Sequence, residues 1–136
     1  MIVPGIREAR SNGGDRLSLD LTTEQRAPSM ARRAVAEILR ELDVPPDLQA
    51  DILLVASELV TNAVEHGGPP ARLRLQYADK EITLRVSDGG AGKPAVHRPG
   101  PLAERNRGLW LVDALAKSWQ CDDLGAGKVL TARFHW

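Results

Sequence analysis

The sequence predicts an α/β two-layer sandwich, a mixed and mostly antiparallel sheet with helices on one face. Several short runs alternate apolar and polar residues, the period of a half-buried strand. Between the first such run and the second lies a long stretch with apolar residues at helical spacing. At 136 residues the chain makes one domain with room for a real core, and too little for two.

Each element has its own signal. Residues 1–15 carry Pro4, Gly5, Asn12, Gly13 and Gly14 and read as a flexible leader, leaving 16–136 as the single domain. In RLSLDLT (16–22), Leu17, Leu19 and Leu21 share one side, which makes a strand. After Pro28-Ser29, Ala31, Val35, Ile38, Leu39 and Leu42 recur at helical spacing, and the helix ends before Pro45-Pro46. A second helix runs from near Pro46 to His66, where Gly67-Gly68 and Pro69-Pro70 stop it. ARLRLQYA (71–78) and EITLRVSD (81–88) alternate strictly across Asp79-Lys80 and form a hairpin. Residues 89–107, rich in Gly and Pro, read as a long loop of the kind that makes lids or binding loops. GLWLVDALAK (108–117) reads as a short helix, and SWQCDD and KVLTARFHW as two closing strands separated by Gly125 and Gly127.

Composition narrows the function. Hydrophobic residues make up 43% and charged residues 26%, values of a globular protein. Lys plus Arg and Asp plus Glu balance at 18 each, so no net charge draws the chain to nucleic acid or an acidic membrane. No apolar run approaches the ~20 residues of a membrane span, and MIVPGIREAR lacks a signal-peptide core. Cys121 is the sole cysteine, which excludes an internal disulfide and a cysteine-based zinc site. A cytoplasmic protein is the default expectation.

On the second helix, stepping ~100° per residue, Leu48, Ile52, Val55, Ala56, Leu59, Val60 and Ala63 fill one apolar arc. Glu58, Asn62 and His66 form a row along its edge, where side chains can face a cleft. Mg²⁺ prefers hard oxygen ligands and retains waters, so the Asn62 amide oxygen with phosphate oxygens suits it. Glu58, one turn earlier, could take the proton of a nucleophile. On the helix alone, polar residues solvated at a helix edge are the simpler reading. In SDGGAG (87–92), glycines permit close backbone approach to a ring or phosphate, and Asp88 could accept a hydrogen bond from an exocyclic amine. A strand-ending Asp-Gly turn explains the same residues locally. At Arg107-Gly108-Leu109, a helix beginning at glycine offers free N–H groups to an anion, or is a helix start and nothing more.

Taken together, ELVTNAVEH (58–66), DGGAG (88–92) and RGLWLV (107–112) resemble the GHKL ATPase superfamily with its Bergerat-type ATP-binding fold. Within it, the chain is most similar to the small bacterial anti-sigma-factor serine/threonine kinases, over roughly residues 16–135 and in the same order. The resemblance implies Mg²⁺ at Asn62 and Glu58 as general base. It implies Asp88 on the adenine amino group, with Gly90 and Gly92 forming the turn beneath the base. The 93–107 loop would be the ATP lid, and Gly108 and Leu109 would give N–H groups to the phosphates. Apart from the resemblance, Arg105 and Arg107 flank that turn and could contact phosphate oxygens, with solvated loop arginines as the simpler reading. Thr131 matches a position near the adenine pocket. The family usually shows Gly-x-Gly-Leu at the phosphate loop, whereas this chain has Asn106-Arg107-Gly108-Leu109. Asn is among the non-glycine residues most tolerant of the left-handed region, so the turn can survive.

The expected function is an anti-sigma-factor kinase: it binds Mg-ATP, phosphorylates a Ser or Thr of an anti-sigma-factor antagonist, and alternately sequesters a sigma factor. A regulatory module that binds nucleotide and partners without phosphoryl transfer is the alternative. Having both Glu58 and Asn62 favours the kinase, because a binding module needs no base beside its metal. Homodimers are usual in the resembled family, and nothing in the sequence marks an interface.

Overall fold

The alternation of Leu17, Leu19 and Leu21 with polar neighbours makes β1 (Asp15–Leu21), with Leu17 and Leu19 buried. The computed structural model describes residues 14–21, 26–90 and 103–136, with the backbone alone over 103–108. The expected leader, the end of the first strand at Thr22 and most of the glycine-rich loop lie outside the described residues.

Helix α1 (Ala27–Glu41) has Pro28 in its first turn, where the missing N–H costs nothing. Ala31, Val35 and Leu39 then recur on one buried face. The chain reverses through Asp43, at φ 53°, and Pro46 opens α2 (Pro46–Asn62). Ile52, Val55, Ala56, Leu59 and Val60 of α2 are buried against α1 and the sheet. The helix does not reach His66 as a regular α-helix. Its end widens into one π turn, Ala63–Gly67, closed by the Gly68 N–H donating to the Ala63 carbonyl at 3.0 Å.

Strands β2 (Ala71–Ala78) and β3 (Glu81–Asp88) form the expected hairpin. Asp79 and Lys80 both have positive φ, 49° and 60°, which is the requirement of the two-residue turn that matches strand twist. Helix α3 (Ala103–Leu115) starts five residues before the position read from Gly108. Ala103, Glu104 and Arg105 are strong helix formers, and an interior glycine costs only about 1 kcal/mol, so Gly108 does not mark the start. Strands β4 (Ser118–Asp123) and β5 (Lys128–His135) close the chain.

The five strands lie in the order β1-β2-β3-β5-β4, and every pairing is antiparallel. The two-layer α/β sandwich is therefore as expected, but the sheet is not mixed. Two helices between β1 and β2 return the chain in the opposite direction. One helix between β3 and β4 makes those strands parallel, and β5 inserts between them, so no parallel pair touches.

Cross-strand rows build the helix-facing side. Leu19 faces Leu73, Leu73 faces Val86 and Val86 faces Leu130; Leu75 faces Leu84, which faces Ala132. All of these are buried in one core. Among the described residues, no helix is long and apolar enough to cross a membrane.

Leu84 sits fully buried at the centre of these rows. Leu84→Ala is expected to lower stability by about 2–5 kcal/mol in urea unfolding, through lost burial plus the cavity left behind. Leu124→Ala, at a residue 63% exposed, should stay within about 0.5 kcal/mol of the parent.

Candidate functional site

Strand β3 turns Ile82, Leu84, Val86 and Asp88 toward the helices, so strict alternation brings a carboxylate to a core-facing position. A buried carboxylate is costly unless hydrogen-bonded and paired. Asp88 meets that requirement twice through Oδ1. The Gly90 N–H donates to it at 2.8 Å, and the Lys128 ammonium at 3.0 Å. Lys128 stands directly opposite Asp88 in the β3–β5 register. The two side chains are only 2% and 10% exposed, so the ion pair is shielded from water.

Three chain segments converge on Asp88 because glycine lets them. Gly67, the last residue of the π turn, lies against the Asp88 carboxyl, and any Cβ there would overlap it. Gly127, at φ 138°, lies under the Asp88 carbonyl in the β4–β5 turn. The Gly89 N–H donates to the Gly68 carbonyl at 2.9 Å and ties the end of β3 to the end of the helix. Helix end, strand end and turn thus form one close-packed corner.

Asn62 and Glu58 lie on the last turns of α2, which lead into this corner. Both are half-buried, at the edge of the apolar arc. With about 1.5 Å of rise per residue, Asn62 stands on the order of 7 Å from Gly67 along the axis. His66 leaves the row expected of it: the π turn carries an extra residue, and the His66 side chain is 62% exposed beside Glu65 at 3.8 Å. Among the described residues, no group of three or more His, Cys, Asp or Glu side chains could hold a metal. An amide oxygen such as that of Asn62 is a hard donor of the kind Mg²⁺ accepts beside water and ligand phosphates.

Other expected site residues are not brought to the corner. Thr131 is buried, but it pairs with Arg85 and points to the sheet face opposite Asp88. Strand phase explains this: Lys128, Leu130, Ala132 and Phe134 share the helix-facing side, and Thr131 falls between them. Lys128 is the residue that sequence reading misses. Its signal is a lysine in phase with the apolar set of β5, directly after Gly127. Gly92 lies outside the described residues, as does the side chain of Arg107. The Gly108 and Leu109 N–H groups are not those of a helix start, because α3 begins at Ala103. An α-helix leaves only its first four N–H groups without a helical partner. Leu109 packs its side chain into the core.

Comparison with known proteins gives a consistent picture. A family model described as a histidine kinase-like ATPase domain matches residues 21–134. Curated relatives include the anti-sigma F factor of Pasteuria penetrans, 32% identical over 84 residues, with 57% of this chain and 56% of that protein covered. The anti-sigma F factor of Clostridium botulinum (strain Eklund 17B / Type B) is 28% identical over 83 residues, covering 57% of this chain and 58% of its own. The match thus spans less than two thirds of these relatives' length. Among solved structures, the RsbU and RsbW domains of a Mycobacterium tuberculosis protein align with a TM-score of 0.70 at 24% identity, over 88% of this chain and 32% of that one. The Pseudomonas aeruginosa SiaB–SiaC complex aligns with a TM-score of 0.58 at 11% identity, over 88% and 89%. At these identities the structural likeness is one of fold.

Gly67→Ala should test the corner. Overpacking against the pinned carboxyl is expected to cost about 1–3 kcal/mol in denaturant unfolding. In an Asp88→Ala background the same substitution should cost less, giving a coupling of at least about 0.5 kcal/mol. Additive effects would mean that Gly67 and Asp88 do not press on one another.

Proposed function

Because the chain belongs to the histidine kinase-like ATPase domain family, which implies ATP binding, we propose that it is a protein serine/threonine kinase using Mg-ATP. The observation that carries this reading is the carboxylate of Asp88, held at the end of β3 in a glycine-packed corner. The last turns of α2, with Glu58 and Asn62, lead into that same corner.

Each residue has a distinct task. The Asp88 carboxylate accepts a hydrogen bond from the exocyclic amine of adenine, and Gly90 with Gly92 would form the turn beneath the base. Asn62 offers its amide oxygen to Mg²⁺, which when bound neutralises charge on the phosphate oxygens. Glu58 accepts the proton of the substrate hydroxyl. The hydroxyl oxygen then bonds to the γ-phosphorus as the bond to the ADP oxygen breaks. Arg107 would contact phosphate oxygens in this reading. Gly108 and Leu109 would donate their N–H groups to phosphate only from a shortened α3.

The natural substrate in this reading is a Ser or Thr of an anti-sigma-factor antagonist, and the competing partner is a sigma factor. The name anti-sigma F factor, carried by relatives at 28–32% identity, supports that class of partners. The overall charge balance agrees with a protein partner rather than nucleic acid. The setting is the cytoplasm, and a homodimer is consistent with the resembled family.

Two substitutions separate binding from chemistry. Asn62→Ala should weaken Mg-dependent ATP binding with the fold intact, since the side chain lies at the edge of the core; calorimetry showing parent affinity would remove Asn62 from the metal site. Glu58→Gln should bind ATP as the parent does, while phosphoryl transfer to a partner falls by roughly 10²-fold or more. Transfer at the parent rate in that variant would make Glu58 a bystander.

A further inference from the structure

The two oxygens of the Asp88 carboxyl are used unequally. Oδ1 accepts both hydrogen bonds, from the Gly90 N–H at 2.8 Å and from the Lys128 ammonium at 3.0 Å. Oδ2 has no partner among the described residues. Since no fully buried side-chain nitrogen or oxygen among them lacks one, Oδ2 keeps an opening. Gly67 leaves it uncovered, because a Cβ at that position would meet both oxygens. Lys128 stands opposite two aspartates in register, Asp88 on β3 and Asp123 on β4. Its ammonium pairs with the buried one, while exposed Asp123 accepts the Gly125 N–H at 2.9 Å. We propose that Lys128 is a positioning residue for base recognition: bound to Oδ1, it holds Asp88 as a charged acceptor whose open oxygen, Oδ2, reads the amine of the base. The inference rests on the reading of Asp88 as the base acceptor.

Charge and direction both follow from the pair. A buried carboxylate with no opposite charge beside it neutralises by taking a proton. The Lys128 ammonium offsets that cost, and an ionised carboxylate is an acceptor only. Hydrogen bonds to a charged acceptor are roughly twice as strong as those between neutral groups, so the lysine strengthens what Oδ2 can do. The two donors on Oδ1 come from different elements, the backbone after β3 and a side chain of β5. They hold the carboxyl plane from two sides and leave Oδ2 one direction. Lys128 acts on the base through Asp88 and needs no contact with it.

Calorimetric titration with Mg-ATP and with purine riboside triphosphate, the same nucleotide without the amine, tests this. The parent should bind ATP about tenfold tighter or more than the purine analogue. Lys128→Met keeps the stem and removes the charge; ATP affinity should fall about tenfold or more, and affinity for the analogue should change by less than about threefold. Lys128→Arg returns the charge and should return the preference for ATP. A lysine that only supports the fold would weaken both nucleotides alike. Equal losses in Lys128→Met therefore overturn the proposal, as does a preference that is unchanged or larger, or a folded Lys128→Arg protein with no preference. Circular dichroism checks folding. If Lys128→Met does not fold, the parent decides: the ¹⁵N–¹H signal of the paired Lys128 ammonium should persist at saturation with Mg-ATP, and its loss on ATP addition overturns the proposal. Absence of binding of either nucleotide to the parent, or parent affinities in Asp88→Ala, refutes the base site itself. That result is distinct from a site whose preference ignores Lys128.

Discussion

The end of a helix, the end of a strand and a turn can meet at Asp88 only because the residues that touch there have no side chains. Gly67 rests on the carboxyl and Gly127 on the carbonyl of the same residue, and Gly90 approaches the Gly67 carbonyl. A methyl group at any of these positions would drive the elements apart. The buried carboxylate then needs partners, and the close approach supplies them: the Gly90 N–H two residues on, and Lys128 across the strand pair. Steric economy and charge compensation are thus coupled at one point.

Topology explains why the corner carries charged groups while the core remains apolar. The antiparallel rows are filled by Leu, Val, Ile, Ala and Phe until the last pair, where Asp88 and Lys128 replace hydrophobes. That last row lies where the π turn ends α2. The wide turn lets the chain pass from the α2 packing surface to the Gly67 contact, and in doing so it turns His66 out to solvent. Glu58 and Asn62, before the π turn, keep their regular helical phase. A change in helix geometry therefore divides the polar row into two half-buried residues at the edge of the apolar arc and one exposed residue.

How much of this was readable depends on which force decides each element. The hairpin of β2 and β3 is legible to the residue, since strict alternation and a two-residue link are local signals. The Glu58–Asn62 spacing and the Asp88 position are legible for the same reason. The start of α3 is not, because Gly108 looks like a boundary while the favourable helix formers before it outweigh its cost. The π turn is invisible to a count of 3.6 residues per turn, and its last residue, Gly67, meets Asp88 across the fold. Thr131 shows the difference between proximity in sequence and direction in space: strand parity alone puts it on the far face and Lys128 beside Asp88.

The central claim is that the corner around Asp88, with the last turns of α2, is where a nucleotide binds. Amide chemical shifts of the ¹⁵N-labelled protein during a Mg-ATP titration test it most directly. Saturable shifts should concentrate at residues 58–68, 88–90 and 127–128, and leave the outer sheet face around Arg74 and Arg85 unmoved. Shifts centred on that outer face, with the corner unchanged, would contradict it.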